Sequence, residues 1–290
     1  MIQSTSAAPQ HAVAERSFQA KDTSRNRVFP VDVWYPEGAG TEALPMILFS
    51  HHSGGSRRAS TFLTTHLASY GYVVAAMDHS EVVAPELARK ENETSEQRAA
   101  RGAGWIASRV PDILFLLEYM LSQPVAGVRV DADRIGLAGH SFGGWTVLEA
   151  PNFEPRIRSV VALAPGGSTK HRPGIIPVVL EFRWTRKIPM LLVAADQDAS
   201  LQMEVMYDIF EQAPEPKKMV VLERADHMHF VDDVEKMHEA FRTMPLSGDL
   251  AAIQADMRPI AELCSGEEAH RFIQDVTLDH FNATLKGQDR

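Results

Sequence analysis

The sequence is poor in cysteine, which limits both its covalent cross-links and its metal chemistry. Cys264 is the only cysteine among 290 residues. No disulfide can therefore form within the chain, and a metal site built from several thiolates is excluded. Such a chain is compatible with a reducing compartment.

Basic residues are also scarce relative to acidic ones. The chain has 29 Lys and Arg residues against 38 Asp and Glu residues, which gives a formal net charge of -9. This charge would repel nucleic acid phosphates, and no basic patch is present that would bind an anionic membrane. The composition argues against a nucleic-acid partner.

The sequence also lacks the marks of a signal peptide or a membrane span. The opening "MIQSTSAAPQHAVAERS" has no basic start and no apolar core. No later apolar run is long enough to cross a bilayer. We expect a cytoplasmic protein, although a chain from which a signal peptide had been removed would have the same sequence.

Nothing in the middle of the chain resembles a linker, so we expect residues 1–290 to form a single domain, with residues 1–16 as a disordered N-terminus. Short continuous apolar runs, such as "PMILFS" from Pro45 and "YVVAAMDH" from Tyr72, alternate with helical patterns. Runs of this kind are typical of strands buried on both faces. The alternation predicts an α/β fold in which helices cover both faces of a mostly parallel central sheet. The other runs begin at Arg134, Ser159, Pro189 and Lys218.

Three segments depart from this alternation. From about Ser17 to Pro36, apolar and polar residues alternate, which predicts two antiparallel strands leading into the domain. Residues 81–108 are charged and lack a broad apolar stripe, so they predict a lid or, in preference, a solvated excursion. Ser265 and Glu268 form a capping-box pattern before a C-terminal amphipathic helix.

The stretch "GHSFGG" puts Ser141 between a buried strand and a helix. G-x-S-x-G at such a turn is the pattern of a nucleophile elbow, in which the serine hydroxyl stands clear of the sheet. Gly139 and Gly143 must be small there, because a Cβ atom at either position would strike the neighbouring strand or helix. An ordinary glycine-rich turn and a phosphate-binding loop remain alternatives on this motif alone.

A nucleophilic serine needs a histidine base and a carboxylate that orients the base. The segment "ERADHMHFVDD" follows the last predicted strand and offers His227 and His229. We favour His227, which lies closer to the end of the strand. The segment "LLVAADQDAS" offers Asp196 and Asp198. We favour Asp198 as the acid because it reaches further from the sheet edge. Either aspartate could instead cap a helix that begins near Ser200, and we expect one of the two to do so.

The third requirement is an oxyanion hole made of backbone N–H groups. The loop "FSHHSGGSR" follows the third predicted strand, and we expect the N–H groups of Ser53 and Phe142 to be the two donors. The loop lacks the lysine of a P-loop and the G-x-G-x-x-G spacing, which disfavours phosphate. His52, Trp105 and Trp184 are candidate substrate-pocket residues.

With these residues in view, the chain resembles the serine α/β-hydrolases, and within them the platelet-activating factor acetylhydrolases and dienelactone-hydrolase-like bacterial esterases. The resemblance rests on "LFSHHSGGSRRASTFLTTHLASYGYVVAAMDH", "SRVPDILFLLEYML" and "GHSFGGWTV". It implies the α/β-hydrolase fold and a carboxylic ester hydrolase that forms an acyl-enzyme through a Ser-His-Asp triad. It also implies a small-molecule ester as substrate, with no metal and no organic cofactor.

The chain departs from that family at three positions. His52 stands where the family usually has glycine. In the acetylhydrolases the acid follows the strand after the elbow, but here that strand ends in Ala162-Leu163-Ala164, so the acid must come from a later loop. Dienelactone hydrolases use a cysteine nucleophile, and Ser141 argues against that activity.

Two other functions remain as alternatives. The fold also carries receptors and scaffolds, so the same pocket could belong to a non-catalytic binder. Asp196, Asp198, His227 and His229 could instead hold a metal in a metallohydrolase, although their D-x-D and H-x-H spacings are weak signals. The sequence determines neither the acyl and alcohol parts of a substrate nor the oligomeric state.

Overall fold

A computed structural model of the chain describes residues 9–40, 42–90, 93–122, 124–125 and 127–287. Eight strands form one sheet in the order β1-β2-β4-β3-β5-β6-β7-β8. Strands β1 and β2 pair antiparallel, β2 pairs antiparallel with β4, and the remaining neighbours are parallel. This confirms the mostly parallel sheet and the antiparallel entry that the sequence predicts. The strands are β1 Val13–Asp22, β2 Arg27–Pro36, β3 Ala43–Ser50, β4 Val73–Met77, β5 Arg129–His140, β6 Ile157–Leu163, β7 Met190–Ala195 and β8 Lys217–Leu222.

The helices connect these strands, and short 3₁₀ turns lie at 85–87, 150–152, 227–230 and 260–262. None of the described helices is both long and apolar enough to cross a bilayer. The helices are α1 Thr61–Ser69, α2 Ser80–Val83, α3 Ser95–Ser122, α4 Phe142–Glu149, α5 Met203–Gln212, α6 Val234–Thr243, α7 Asp249–Ala255 and α8 Gly266–Leu285.

The sheet is buried on both faces, as the continuous apolar runs predict. Along β3, Met46 and Leu48 pack into a core with residues of α3, α4 and α5. The alternate residues Ile47 and Phe49 pack into a second core with α1 and α8. Successive side chains of a strand point to opposite faces, so a strand covered on both sides must be apolar throughout.

The C-terminal helix α8 begins as its sequence predicts. The Ser265 hydroxyl accepts a hydrogen bond from the N–H of Glu268 at 3.2 Å, and the Glu268 carboxylate accepts one from the N–H of Ser265 at 3.0 Å. This reciprocal pair satisfies two N–H groups that the helix itself leaves without a partner. The cap fixes the start of a helix that buries Ala269, Ile273 and Phe281.

The expectation that residues 1–16 form a disordered N-terminus is corrected for the residues that the structure describes. Residues 1–8 lie outside the described residues, but β1 begins at Val13 and pairs with β2, so the ordered structure starts before residue 17. The N–H groups of Gln10 and His11 also donate hydrogen bonds to the carbonyl of Ser69. The reason is that β2 would otherwise present an open edge, and the chain before residue 17 covers it.

The segment 81–108 is not simply a solvated excursion. Its second part is the start of α3, in which Trp105 is 3% exposed and Ser108 is buried. The apolar stripe of α3 begins at Trp105, after residues 95–104 of the helix, which are mostly exposed. A lid role for residues 81–108 remains a prediction, and Glu91 and Asn92 lie outside the described residues.

Candidate active site

Ser141 occupies a strained turn between β5 and α4. Its backbone has φ 60° and ψ -117°. A positive φ is uncommon outside glycine and costs free energy, so the surrounding structure must enforce it. A Cβ atom at Gly139 would lie 2.4 Å from the carbonyl oxygen of Gly143, and one at Gly143 would lie 2.0 Å from that of Ser50. Only glycine fits at these two positions, in agreement with the steric argument from the sequence.

The side chains of His227 and Asp198 meet at the carboxyl edge of the sheet. Asp198 follows β7, and His227 opens the 3₁₀ turn that follows β8, the parallel neighbour of β7. His227 Nδ1 lies 2.7 Å from Asp198 Oδ2. An ionised carboxylate only accepts hydrogen bonds, so Nδ1 carries the proton and Nε2 keeps its lone pair.

The pKa of His227 is set by two opposing effects. Burial lowers this pKa, but the negative charge of Asp198 and its hydrogen bond raise it more, and the net result is a pKa above the ordinary value. His227 therefore accepts a proton more readily than a free imidazole. Its side chain remains 10% exposed, so it is reachable from solvent.

The two aspartates after β7 make different contacts. Asp198 Oδ1 accepts hydrogen bonds from the N–H groups of Ser200 and Leu201, both at 2.8 Å, in addition to the contact with His227. Asp196 Oδ1 accepts from the N–H of Ala225 at 3.2 Å. The capping part that the sequence left open between the two aspartates thus falls to Asp198, which ties down the turn before α5 begins at Met203.

His229 lies close to His227 in sequence but makes unrelated contacts. Its Nδ1 accepts a hydrogen bond from the N–H of Asp226 at 2.9 Å, and its Nε2 donates to the carbonyl of Cys264 at 3.1 Å. The first of these contacts belongs to a capping box for the 3₁₀ turn that carries His227, in which the Asp226 side chain also accepts from the backbone of the turn. Among the described residues, no group of three or more His, Cys, Asp or Glu side chains converges as a metal site.

The ring of His140 connects the acid–base pair to the loop after β3. The centroid of His140 is 4.6 Å from that of His227, 5.2 Å from that of Phe230 and 5.6 Å from that of His52. Burial holds the pKa of His140 well below its ordinary value, and the neighbouring imidazoles of His227 and His52 lower it further. His140 is therefore a neutral packing element at neutral pH.

The loop after β3 lies against the elbow. Ser50 is the register partner of Gly139, and a Cβ atom at Gly143 would also lie 2.6 Å from the carbonyl oxygen of His51. Within the described residues, no hydrogen bond from the N–H of Ser53 or of Phe142 to another protein group is found. Their role as oxyanion donors stays a prediction.

His52, the residue that replaces the family's glycine, bonds within its own loop. Its Nδ1 lies 3.1 Å from the carbonyl oxygen of Ser53, and its ring lies over Gly55, where a Cβ atom would be 2.8 Å from Nε2. Burial lowers the pKa of His52 to about 4, so the ring is neutral at neutral pH. A role for His52 in a substrate pocket remains a prediction.

Trp105 and Trp184 make contacts typical of structural residues. The indole N–H of Trp105 donates to the carbonyl of Leu87 at 2.7 Å, and the Arg101 guanidinium lies 4.6 Å from the Trp105 ring. The indole N–H of Trp184 donates to the carbonyl of Leu148 at 3.1 Å. These contacts account for both side chains without a substrate, and their role in a pocket stays a prediction.

Arg109 and Glu81 were not expected from the sequence, yet they form a buried ion pair against the loop after β3. The signal for Arg109 was its helical position. It lies four residues after Trp105 and four before Ile113, both of which are buried, so the period of α3 directs this arginine inward. An arginine on the apolar face of a helix needs a buried partner.

Comparisons with known proteins agree with this geometry. Residues 25–110 match the family "Platelet-activating factor acetylhydrolase, isoform II". The structure superposes on that of a ferulic acid esterase from Streptomyces cinnamoneus with a TM-score of 0.69 and 20% identity, covering 99% of this chain and 94% of the other. The protein has the α/β-hydrolase fold. The resemblance to that fold stated from the sequence is confirmed.

Two further relatives support the same resemblance. A platelet-activating factor acetylhydrolase from Cavia porcellus is 22% identical over 86% of this α/β-hydrolase chain, and the match spans only 62% of the relative's length. The structure of a candidate dienelactone hydrolase from Klebsiella pneumoniae superposes with a TM-score of 0.61 and 16% identity, covering 93% of this chain and 99% of the other.

Proposed function

We propose that this α/β-hydrolase is a serine carboxylic ester hydrolase that acts on small-molecule esters. The observation that carries the proposal is the 2.7 Å hydrogen bond from His227 Nδ1 to Asp198, in a chain whose Ser141 lies in a strained turn and whose His140, the residue before it, has its ring 4.6 Å from that of His227. The bond leaves the second imidazole nitrogen available as a base. The family match over residues 25–110 and the named activities of the relatives point to the same chemistry.

The proposed reaction begins when Ser141 Oγ attacks the ester carbonyl carbon and transfers its proton to His227 Nε2. The N–H groups of Ser53 and Phe142 stabilise the negative charge that develops on the carbonyl oxygen. When the tetrahedral intermediate collapses, His227 returns the proton to the leaving alcohol and an acyl-enzyme remains. Water then attacks the acyl-enzyme with His227 as base, and the carboxylic acid and free Ser141 are released.

Asp198 has two roles in this proposal. It keeps the proton on Nδ1 of His227, which is the tautomer that leaves Nε2 basic, and its charge stabilises the imidazolium that forms during the reaction. The two N–H groups that bind its other oxygen keep the carboxylate from rotating away. His227 is therefore oriented before a substrate arrives.

Fluorophosphonate labelling combined with a Ser141→Ala variant tests the proposal. We expect the label on Ser141 alone, and we expect Ser141→Ala to fold normally while turnover of a short-chain chromogenic ester falls by about a millionfold, as in other triad knockouts. Wild-type turnover in Ser141→Ala would overturn the mechanism. A wild-type protein that is neither labelled nor active would instead be a binder that uses the hydrolase pocket.

A further inference from the structure

Arg109 is a buried cation whose donors face the backbone of the loop after β3. The residue is fully buried in α3. Its Nη1 donates to the carbonyl of His51 at 2.6 Å and lies 3.3 Å from the hydroxyl of Ser50, and its Nη2 donates to the carbonyl of His52 at 3.2 Å. A planar guanidinium with several fixed donors can hold two adjacent carbonyls in one orientation, which an ammonium group cannot do.

Fixing the His52 carbonyl also fixes the N–H of the next residue. In a planar trans peptide the carbonyl and the following N–H point in opposite directions. The His52 carbonyl accepts hydrogen bonds from Arg109, from the N–H of Gly55 at 3.1 Å and from Nδ1 of His51 at 2.7 Å. The N–H of Ser53 is consequently directed away from Arg109.

The same guanidinium also contacts the residue that carries the second proposed donor. The Arg109 Cζ atom lies 4.3 Å from the centroid of the Phe142 ring. On its other side, Arg109 forms an ion pair with Glu81, whose carboxylate accepts from Nε at 3.1 Å and also from Nη2. Glu81 therefore holds the guanidinium in place, and the guanidinium touches both sides of the proposed oxyanion hole.

We propose that Arg109, held by Glu81, is a positioning residue that aims the Ser53 N–H at the oxyanion and sets the distance between Ser53 and Phe142. The inference rests on the proposed ester hydrolase function, because only a reaction with a developing oxyanion uses these donors. Arg109 itself touches neither the substrate nor the reacting atoms. Its effect should consequently appear in the transition state rather than in substrate binding.

The test compares Arg109→Lys with Leu117→Ala, a control on the same helix. Leu117 is buried in the apolar core two turns further along α3. For Arg109→Lys we expect kcat for a chromogenic ester to fall by about 10- to 100-fold, since a displaced catalytic group costs about that much, with KM within about twofold. The inhibition constant of a trifluoromethyl ketone, whose adduct with serine carries an oxyanion, should rise by the same factor. Leu117→Ala should lower the melting temperature and leave kcat unchanged.

The proposal is overturned if Arg109→Lys behaves as Leu117→Ala does, with lower stability but unchanged kcat and unchanged inhibition by the ketone. A rise in KM alone would overturn it as well. If Arg109→Lys fails to fold, the isosteric variant Glu81→Gln takes its place and is judged by the same criteria. We expect Glu81→Gln to lower kcat by about 3- to 10-fold, because it loosens Arg109 without removing it and so weakens only part of the oxyanion stabilisation. Failure of the proposed function is distinguishable, because it would appear as inactive wild-type protein or active Ser141→Ala before any Arg109 variant is compared.

Discussion

The described residues contain three buried Asp–His pairs, and only one of them has the contacts expected of a catalytic pair. His227 lies 2.7 Å from Asp198, His238 lies 3.3 Å from Asp226, and His79 lies 3.4 Å from Asp112. All three pairs bury a carboxylate against an imidazole. The pairing alone therefore does not identify a general base.

The second imidazole nitrogen makes the difference. Nε2 of His79 shares a hydrogen bond with the hydroxyl of Ser50 at 2.8 Å, and Nε2 of His238 donates to the carbonyl of Arg258 at 2.8 Å. Within the described residues, no protein group is found on Nε2 of His227. A base must have a free lone pair within reach of the proton that it takes, and of the three imidazoles only that of His227 combines this with a position at the strand ends, packed against His140, the residue before Ser141.

Electrostatics separate the pairs less clearly. Burial lowers the pKa of His238 and the Asp226 carboxylate raises it, with a net rise like that of His227. Burial and the nearby Arg109 charge lower the pKa of His79 below its ordinary value. Two of the three imidazoles thus have raised pKa values, so a raised pKa is a poorer guide to the base than the free nitrogen.

The largest expected effect comes from removing the carboxylate of the proposed catalytic pair. Asp198→Asn should lower turnover by up to about ten-thousandfold, because an amide favours the wrong imidazole tautomer. The measurement is kcat/KM with a short-chain chromogenic ester, together with a melting curve. Asp112→Asn is the matched control in a second buried pair, and an equal loss of turnover there would break the comparison.

Asp226→Asn should act on stability rather than on turnover. We expect the variant to destabilise the fold by about 1–3 kcal/mol, because His238 loses a buried charged partner. Turnover should change by less than about tenfold, since asparagine can still cap the 3₁₀ turn that carries His227. Burial raises the pKa of Asp226, but His238 and the N–H of Met228 lower it more, so the folded pKa is depressed. The folded pKa of His238 is raised. At pH values between the folded pKa of Asp226 and that of His238, the carboxylate is therefore negative and the imidazole positive.

The sign of the pH dependence follows from those shifts. The pair stabilises the folded state above the unfolded pKa of Asp226 and loses this contribution as pH rises through the raised pKa of His238. The destabilisation by Asp226→Asn should therefore be larger at about pH 5.5 than at about pH 8, two values on either side of the ordinary histidine pKa. Urea unfolding at both pH values checks this, and equal losses would contradict it.

Asp196→Asn should have a smaller effect. Asp196 accepts a hydrogen bond from the N–H of Ala225, which an asparagine side chain can also accept, so we expect a loss of no more than about 1 kcal/mol with near-normal turnover. Kinetics and melting curves measured in parallel with Asp198→Asn decide between the two aspartates. A large loss of turnover in Asp196→Asn with little in Asp198→Asn would transfer the catalytic role to Asp196.

The smallest expected change is a displacement along the pH axis. His227 must be neutral to act as a base, so activity rises as pH increases through its pKa, which lies above the ordinary value. In Asp198→Asn the residual activity should show this acidic limb at lower pH, because the charge that raises the pKa is gone. The Asp226 charge also raises the pKa of His227, so His238→Gln, which keeps both carboxylates, should move the limb by much less than Asp198→Asn does. An equal shift in the two variants would contradict the assignment of Asp198 as the main partner of His227.

Much of the site could be predicted from short stretches of sequence. The elbow at Ser141 depends on a few adjacent residues, because glycine at positions 139 and 143 is a steric requirement of the turn itself. The alternation of apolar runs and helices predicts a mostly parallel sheet, and the carboxyl ends of parallel strands share one edge, so the loops that hold Asp198 and His227 could be placed at that edge. The capping box at Ser265 is local in the same way.

Other features depend on contacts between distant segments, and the sequence pattern either left them open or, for Asp198, favoured them only from the reach of a side chain. Trp105 and Trp184 could equally have lined a pocket, and only the packed structure shows their indole N–H groups bound to backbone carbonyls. Asp196 and Asp198 are two residues apart, and the position of the β8 loop decides which carboxylate meets His227.

The sequence by itself determined the α/β architecture and the tight serine turn, and it limited the candidates for the proposed acid and base to four residues in two loops. Tertiary structure alone decided which imidazole nitrogen stays free, and which buried arginine holds the loop beside the serine. The physical reason is the range of the interactions. Backbone sterics and the burial period of strands and helices act within a few residues, whereas hydrogen bonds such as that of Arg109 to the His52 carbonyl join groups that only the folded chain brings together.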